Sequence, residues 1–301
     1  MYVFRIHIRP QGGIASMKET FDYCLENQIL GVGWQVNSTN NPDSWEEYLR
    51  AAEEIHGNLN VCKYIKKWVS EGDLVWTRSD EGKYFLAKVQ SGWEYWISES
   101  AVKRDIDLAN IFRVKLFPVE SDAVPGKVVA CFRAPRTIQE IASKPAIEYS
   151  KYLWNTLSKT NDYEIDQGHA SDIFEMLDDE ETEDLVFMYL QYMGWVLIPN
   201  SRKKDTMNYE FLAVNPKTGE RAVSQVKTGN SEINIENFSS YKEKVFLFQS
   251  NELYAGIKSE NAVFLSRKEI LEFIGQAKDW LPSTIQNKID LVKLISSTNS
   301  A

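Results

Sequence analysis

A pair of strand-forming segments joined by a turn constrains the fold of this chain more than any other feature. The first segment, Asn208 to Val214, is a short apolar run rich in strand formers, and the second, Glu220 to Lys227, has alternating character. Between them, the sequence Asn-Pro-Lys-Thr-Gly at 215–219 is typical of a tight turn. The pattern therefore predicts an antiparallel hairpin.

The hairpin brings polar side chains together. If the turn centres near Lys217, antiparallel pairing places Glu210 opposite Ser224 or Gln225. Because side chains alternate between the two faces of a strand, Gln225 and Lys227 share one face. A carboxylate, an amide and an ammonium group are thus predicted to converge.

The segments around the hairpin predict an α/β module. Upstream, residues 181–193 have the apolar spacing of a helix, with Asp178 or Asp179 as its cap and Gly194 at its end, and residues 195–199 follow as a short strand. Downstream, the patterns predict a helix at 236–243, strands at 245–249 and 262–265, and a helix that Ser266 opens.

Four short segments in this order resemble the PD-(D/E)XK nuclease superfamily, and most closely its Mrr-type restriction endonuclease branch. They are Thr182-Glu183-Asp184-Leu185, Gly194-Trp195-Val196, Tyr209-Glu210-Phe211 and Gln225-Val226-Lys227. The resemblance covers residues 170–301 and implies a restriction-endonuclease-like domain, a mixed sheet flanked by helices. It also implies a metal-dependent DNA endonuclease of modification-dependent restriction or phage defence. The chain departs from the commonest pattern in having glutamate at 210 and glutamine at 225.

The same resemblance implies a catalytic set of Glu183, Glu210, Gln225 and Lys227. Phosphodiester hydrolysis needs a hard cation with oxygen ligands and open positions for water and phosphate, here Mg²⁺ or Mn²⁺. Glu183, Glu210, the Gln225 side-chain oxygen and the Val226 carbonyl are the expected ligands. Lys227 would orient or deprotonate the attacking water and neutralise charge on the phosphorane.

Each of these residues also has a structural interpretation. Glu183 stands in an acidic run that favours a helix N-terminus, and both Lys227 and Glu210 have the character of surface residues on a sheet. Asp205 is an alternative or additional metal ligand. Two other functions stay open: a non-catalytic nucleic-acid-binding protein on a degenerate nuclease fold, and an RNA-directed nuclease.

The N-terminal part, residues 1–140, predicts a different domain. Residues 1–9 alternate as a strand, and Ser16 and Glu19 form a capping box that opens a helix. Further helices are predicted at 43–56 and 61–70, and strands at 74–78, 83–89, 111–119 and 127–132. The expected fold is an α+β small β-barrel, followed by a helical linker at 141–169 with its helix at 145–157.

Aromatic residues are concentrated in this first domain, because six of the nine tryptophans precede residue 97. Gly31-Val32-Gly33-Trp34, the segment 72–76 and the segment 82–89 resemble the PUA-like superfamily, which includes EVE domains. The resemblance implies a pocket for a nucleobase, often a modified one. Trp34 and Trp76 are the candidate pocket residues, with core packing as the alternative for both.

Composition limits the partners and the compartment. The net charge of −9 argues against a protein that coats DNA nonspecifically, so phosphate contacts are expected from local basic residues such as Arg202, Lys203 and Lys204. Three widely spaced cysteines predict buried free thiols, and no long apolar run is present, so a soluble cytoplasmic protein without a membrane partner is expected. The expected partner is DNA, modified or not, with RNA as the alternative. The nuclease resemblance implies a homodimer.

Overall fold

The chain folds into two compact units. They comprise Met1–Asp166 and Gln167–Ala301 in a computed structural model that describes residues 1–36, 42–166, 172–198 and 209–298. Arg202, Lys203, Lys204 and Asp205 lie outside the described residues. The region predicted as a helical linker, up to Asp166, belongs to the first unit.

The first unit is built on a curled mixed sheet. Its strands are β1 (Val3–Ile6), β2 (Ile29–Val32), β3 (Leu74–Arg78), β4 (Tyr84–Val89), β5 (Glu94–Tyr95), β6 (Asn110–Val119) and β7 (Ile138–Glu140). Its helices are α1 (Met17–Asn27), α2 (Trp45–Ile55), α3 (Asn60–Trp68), α4 (Glu99–Arg104), α5 (Gly126–Cys131) and α6 (Lys144–Ser158). The capping box of Ser16 and Glu19 opens α1 as predicted.

The strand order in this sheet is β2-β6-β4-β3-β1-β7, with β5 paired to β6. Only β1 and β3 run parallel; the other described pairs in this sheet are antiparallel. The strands β2 and β7 are the two ends of the order, and the described residues record no pairing between them. The sheet is thus curled, but its pairings do not close the predicted barrel.

Both faces of the sheet are buried. In β3, Val75 packs in one apolar cluster with residues of α1, α2 and α3, whereas Leu74 and Trp76 pack in another with residues of α5 and α6. Alternation along each strand explains this division. Because α6 buries Tyr149 and Trp154 in the second cluster, it is a core element of the first unit.

One predicted strand of the first unit is wrong. Residues 127–132, with their two adjacent valines, have strand-forming character, but the segment forms the helix α5. Its helical turn places Val128 and Cys131 on the same side, and both are buried in the cluster that α6 also covers. Packing against the sheet outweighs the local strand propensity of the valines.

The second unit has a five-stranded mixed sheet with the order β14-β12-β10-β9-β8. These strands are β8 (Val196–Leu197), β9 (Phe211–Val214), β10 (Arg221–Lys227), β12 (Lys244–Gln249) and β14 (Ala262–Phe264); β11 (Ile233–Asn234) and β13 (Tyr254–Ala255) form a separate pair. The helices are α7 (Asp179–Tyr192), α8 (Arg267–Ala277) and α9 (Ser283–Thr298). The predicted α/β architecture with a mixed sheet flanked by helices is confirmed at this level.

The helix predicted at 236–243 is shorter than expected. Only Ile235–Phe238 is helical, as a 3₁₀ turn capped by the Asn234 side chain. The serines at 239 and 240 favour turn conformations over a continuing helix. This turn covers the face of the sheet opposite to α7 and α8.

A buried ion pair fixes the start of α7. Asp178 and Glu181 form a capping box, and the Glu181 carboxylate also accepts a hydrogen bond from the Lys288 ammonium of α9. The side chains of Lys288 and Glu181 are only 1% and 6% exposed. The pair therefore joins the N-terminal end of α7 to the C-terminal helix inside the core.

Cys24, Cys62 and Cys131 are buried free thiols, as predicted. Burial raises the pKa of the Cys62 thiol to about 11, so this group stays protonated at neutral pH. Within the described ranges, no helix combines the length and apolar character that a bilayer-crossing segment needs.

Candidate functional site

The hairpin of β9 and β10 forms with the predicted register. The 215–219 turn is closed by the hydrogen bond from Gly219 N to Asn215 O at 2.8 Å, and Gly219 has a φ of 73°, which favours glycine. Phe211 pairs with Ser224, and the amide of Glu210 donates to the carbonyl of Ser224 at 2.8 Å. Glu210 therefore lies across from Gln225, one of the two predicted alternatives.

Three of the predicted site residues are in direct contact. The Gln225 amide nitrogen donates to Glu210 Oε1 at 2.8 Å, and the Lys227 ammonium lies 3.5 Å from the same oxygen. Glu210 is largely buried, with 14% of its side chain exposed, whereas the Lys227 side chain is 44% exposed. The carboxylate is thus held in place while the ammonium remains open to solvent.

Glu183 is not part of this contact set. Ala222 and Val226 of β10 pack with Leu185 and Val186 of α7, so α7 covers the face of the sheet opposite to Gln225 and Lys227. Glu183 itself is buried on α7, 8% exposed. The role of Glu183 as a metal ligand therefore stays a prediction.

The end of β10 is nevertheless linked to α7. The Thr228 hydroxyl donates to the carboxylate of Asp179 in the first turn of α7, and Asp179 lies one helical turn before Glu183. This hydrogen bond joins the first turn of α7 to the residue that follows Lys227.

Sequence reasoning missed the residues that shape the loop after Lys227. The Gln249 amide, fully buried at the end of β12, donates to the carbonyls of Gly229 at 2.8 Å and Ser231 at 3.0 Å. The Ser250 hydroxyl accepts from Gly229 N at 3.1 Å. These bonds fix the path of the chain directly after Lys227. The sequence signal that could have indicated this role was Gln249, a glutamine at the end of a predicted strand.

The oxygen atoms around Glu210 determine which cation this site can bind. Among the described residues, no group of three or more histidine, cysteine, aspartate or glutamate side chains is arranged to hold a metal ion. Glu210 Oε2 accepts no hydrogen bond within the described part of the chain, and the Val226 carbonyl already accepts one from the Gln225 amide at 3.3 Å. Mg²⁺ is commonly held by one or two carboxylates together with waters and substrate phosphates. The residues fit an ion that binds together with its substrate, and they do not form a closed protein cage.

The first unit contains a cavity of about 440 Å³. Trp34 lines it, as predicted for a pocket residue, and has a φ of 59°, which is uncommon for a residue with a side chain. Polar residues of the lining include Gln35 and Asp107. Thr20 is also a lining residue, but its side chain is fully buried, and its hydroxyl has no hydrogen-bond partner in the described residues.

Trp76, the other predicted pocket residue, is a core residue, which was the alternative interpretation of its sequence position. It is fully buried, and its indole nitrogen donates to the Ser150 hydroxyl of α6 at 3.0 Å. Trp76 does not line the cavity, because its position in β3 directs the ring to the face that α6 covers.

The cavity depends on glycines where two backbones approach closely. A methyl group on Gly31 would lie 2.3 Å from the Asn110 carbonyl oxygen, which belongs to the neighbouring strand. We therefore expect Gly31→Ala to destabilise the protein by about 1 to 3 kcal/mol, because the backbone of β6 must move. Urea unfolding measures the change. Gly92→Ala is the control, since nothing lies within 4 Å of its added methyl group; equal stability of the two variants would contradict the close approach.

Comparison with models of known protein families finds no match to the chain, and comparison with curated protein sequences finds none either. The likeness to PD-(D/E)XK nucleases and PUA-like domains therefore depends on the quoted motifs alone. Function has to be argued from the geometry of the two sites.

Proposed function

We propose that the second unit hydrolyses phosphodiester bonds of DNA in a metal-dependent reaction, as in modification-dependent restriction or phage defence. The observation that carries the proposal is the contact of both Gln225 and Lys227 with the single carboxylate of Glu210. A carboxylate and an amide oxygen could hold a cation, and an ammonium group beside them could stabilise negative charge at a phosphate.

Each residue of the site would have a distinct role. Glu210 and the Gln225 side-chain oxygen would hold Mg²⁺ or Mn²⁺, which when bound supplies charge neutralisation at the phosphate and a more acidic water. Gln225 donates its amide nitrogen to Glu210 without the ion, so its amide has to rotate to present the oxygen. Lys227, exposed beside Glu210, would orient the attacking water and stabilise the negative charge that develops on the phosphate oxygens.

The first unit would recognise the nucleic acid. Its cavity lies within the size range of small-molecule sites, and Trp34 offers an aromatic surface for stacking. The Gln35 side chain would supply a polar group for the edge of a base. A flipped nucleobase, modified or not, is the proposed ligand.

One observation favours the competing function of a non-catalytic nucleic-acid-binding protein. Among the described residues, Glu210 is the one carboxylate that contacts Gln225 and Lys227. A site with one carboxylate binds divalent cations weakly, and such a protein would bind nucleic acid without cutting it.

The deciding experiment compares cleavage of DNA and RNA with Mg²⁺, with Mn²⁺ and with a chelator. We expect cleavage of DNA, modified or unmodified, that stops on chelation. We also expect a loss of about 10² in rate for Glu210→Gln, which removes the charge that holds the ion. Glu220→Gln is the matched control, because Glu220 is a more exposed carboxylate on the same hairpin, paired with Lys244.

The other outcomes separate the alternatives. Cleavage of RNA alone would assign the RNA-directed function. Binding without cleavage under all metal conditions would assign the non-catalytic function. Cleavage that survives both chelation and Glu210→Gln would place the reaction elsewhere in the chain.

A further inference from the structure

Arginines gather around one aromatic ring at the end of β1. The guanidinium carbons of Arg5 and Arg78 lie 5.7 Å and 5.3 Å from the centre of the Phe132 ring. The His7 ring packs edge-on against the same phenyl ring at 4.8 Å. Two cations and an imidazole thus surround Phe132.

Buried Arg5 organises the loop that carries further arginines. Its guanidinium donates to the carbonyls of Ala134, Arg136 and Thr137 and to the Gln139 side chain. These bonds hold the chain from 134 to 137 against β1. The Arg136 side chain is exposed on this loop, and Arg9, just after β1, is exposed as well.

Within the described residues, Arg5, Arg9, Arg78 and Arg136 form no ion pair with an aspartate or a glutamate, although Asp105 and Asp107 line the same cavity as Arg9. Burial, together with the charges of Arg9, Arg5 and Arg78, lowers the pKa of His7 to about 4. His7 is therefore neutral at pH 7. In a chain of net charge −9, this local excess of positive charge is unusual.

The cluster borders the cavity. Arg9 lines the cavity, and so do Pro135 and Thr137, the residues on either side of Arg136. Guanidinium groups bind phosphate oxygens through paired hydrogen bonds. Cations at the rim of a cavity that can accept a base match a nucleotide, whose phosphate lies one sugar away from its base. A membrane surface, in contrast, would not require the cavity.

We propose that Arg9, Arg78 and Arg136, supported by buried Arg5, form a phosphate-binding surface that holds the nucleic-acid backbone beside the cavity. This inference rests on the proposed recognition of nucleic acid by the first unit. It identifies the arginine side chains that would bind the phosphates of the nucleic acid, and it does not depend on the proposed hydrolytic site at Glu210.

The test is the salt dependence of binding, measured by fluorescence anisotropy of labelled oligonucleotides with the full chain in the presence of a chelator. Each phosphate contact contributes about 0.7 to 0.9 to the slope of log affinity against log salt concentration. Arg9→Ala/Arg136→Ala is expected to lower this slope by about 1.4 to 1.8 and to weaken binding at least about tenfold in 0.1 M salt. Both side chains are exposed, so the unfolding midpoint is expected to stay unchanged.

The matched control is Arg50→Ala/Lys115→Ala, which removes two exposed positive charges elsewhere in the first unit. An equal change of slope in both double variants would overturn the surface while leaving nucleic-acid binding in place. No binding by the unaltered chain would overturn both this proposal and recognition by the first unit. Binding to phosphatidylserine vesicles that depends on Arg9 and Arg136, without binding to oligonucleotides, would overturn it in favour of a membrane surface. Cleavage at the Glu210 site is measured separately and does not affect these outcomes.

Discussion

Lys227→Ala is expected to reduce the rate of phosphodiester cleavage by about 10² to 10³ while nucleic-acid affinity changes little. The ammonium lies 3.5 Å from Glu210 and is open to solvent, where it can contact the attacking water and the phosphate oxygens. Its contribution grows as charge develops in the transition state, so its loss affects the chemical step more than binding. Single-turnover cleavage rates, measured with protein in excess, isolate that step.

Lys217→Ala is the control for this substitution, because Lys217 is an exposed lysine in the turn of the same hairpin. Lys227→Arg keeps the positive charge and tests whether charge alone suffices. If Lys227→Ala weakens binding and leaves the single-turnover rate unchanged, Lys227 is a phosphate contact and another group activates the water.

The second large effect concerns stability. Lys288→Ala is expected to lower the free energy of unfolding by about 3 to 5 kcal/mol, because it leaves the Glu181 carboxylate buried without its cation. One oxygen of that carboxylate, Oε1, already has no hydrogen-bond partner in the described residues. Urea unfolding followed by circular dichroism measures the loss.

Two variants distinguish the ion pair from the packing of the lysine side chain. Lys288→Met/Glu181→Gln removes both charges, keeps the side-chain volumes similar and is expected to recover most of the lost stability. Lys293→Ala on the same helix removes an exposed lysine and is expected to cost less than about 1 kcal/mol. If the double variant is as unstable as Lys288→Ala, charge burial is not the cause.

Local patterns in the sequence were sufficient for the hairpin and for several helix starts. The 215–219 turn and the strand alternation predicted that Glu210 lies opposite Ser224 or Gln225, and the sequence indicated caps at Ser16, at Asp178 or Asp179, and at Ser266. These features depend on neighbours within a few residues, which the sequence displays directly.

Features that depend on distant packing were not predictable in the same way. The strand assigned to 127–132 is a helix because of what it packs against, and α6 is a core element because Trp76, 74 positions before Ser150, bonds to it. The arginines of the cluster come from three separate segments, so no local motif indicates them.

Because β1 lies between two other strands, the sheet of the first unit cannot form fully during translation until both of those strands have been synthesised. This first strand pairs with β3 on one side and with β7 on the other, and its Arg5 bonds to a loop about 130 residues later. At ordinary rates of translation, β7 is synthesised on the order of ten seconds after β1. During that time its edge can pair with other strands. A nascent chain released before α6 has emerged would therefore expose the apolar surface that α6 normally covers, and it would be a substrate for chaperones.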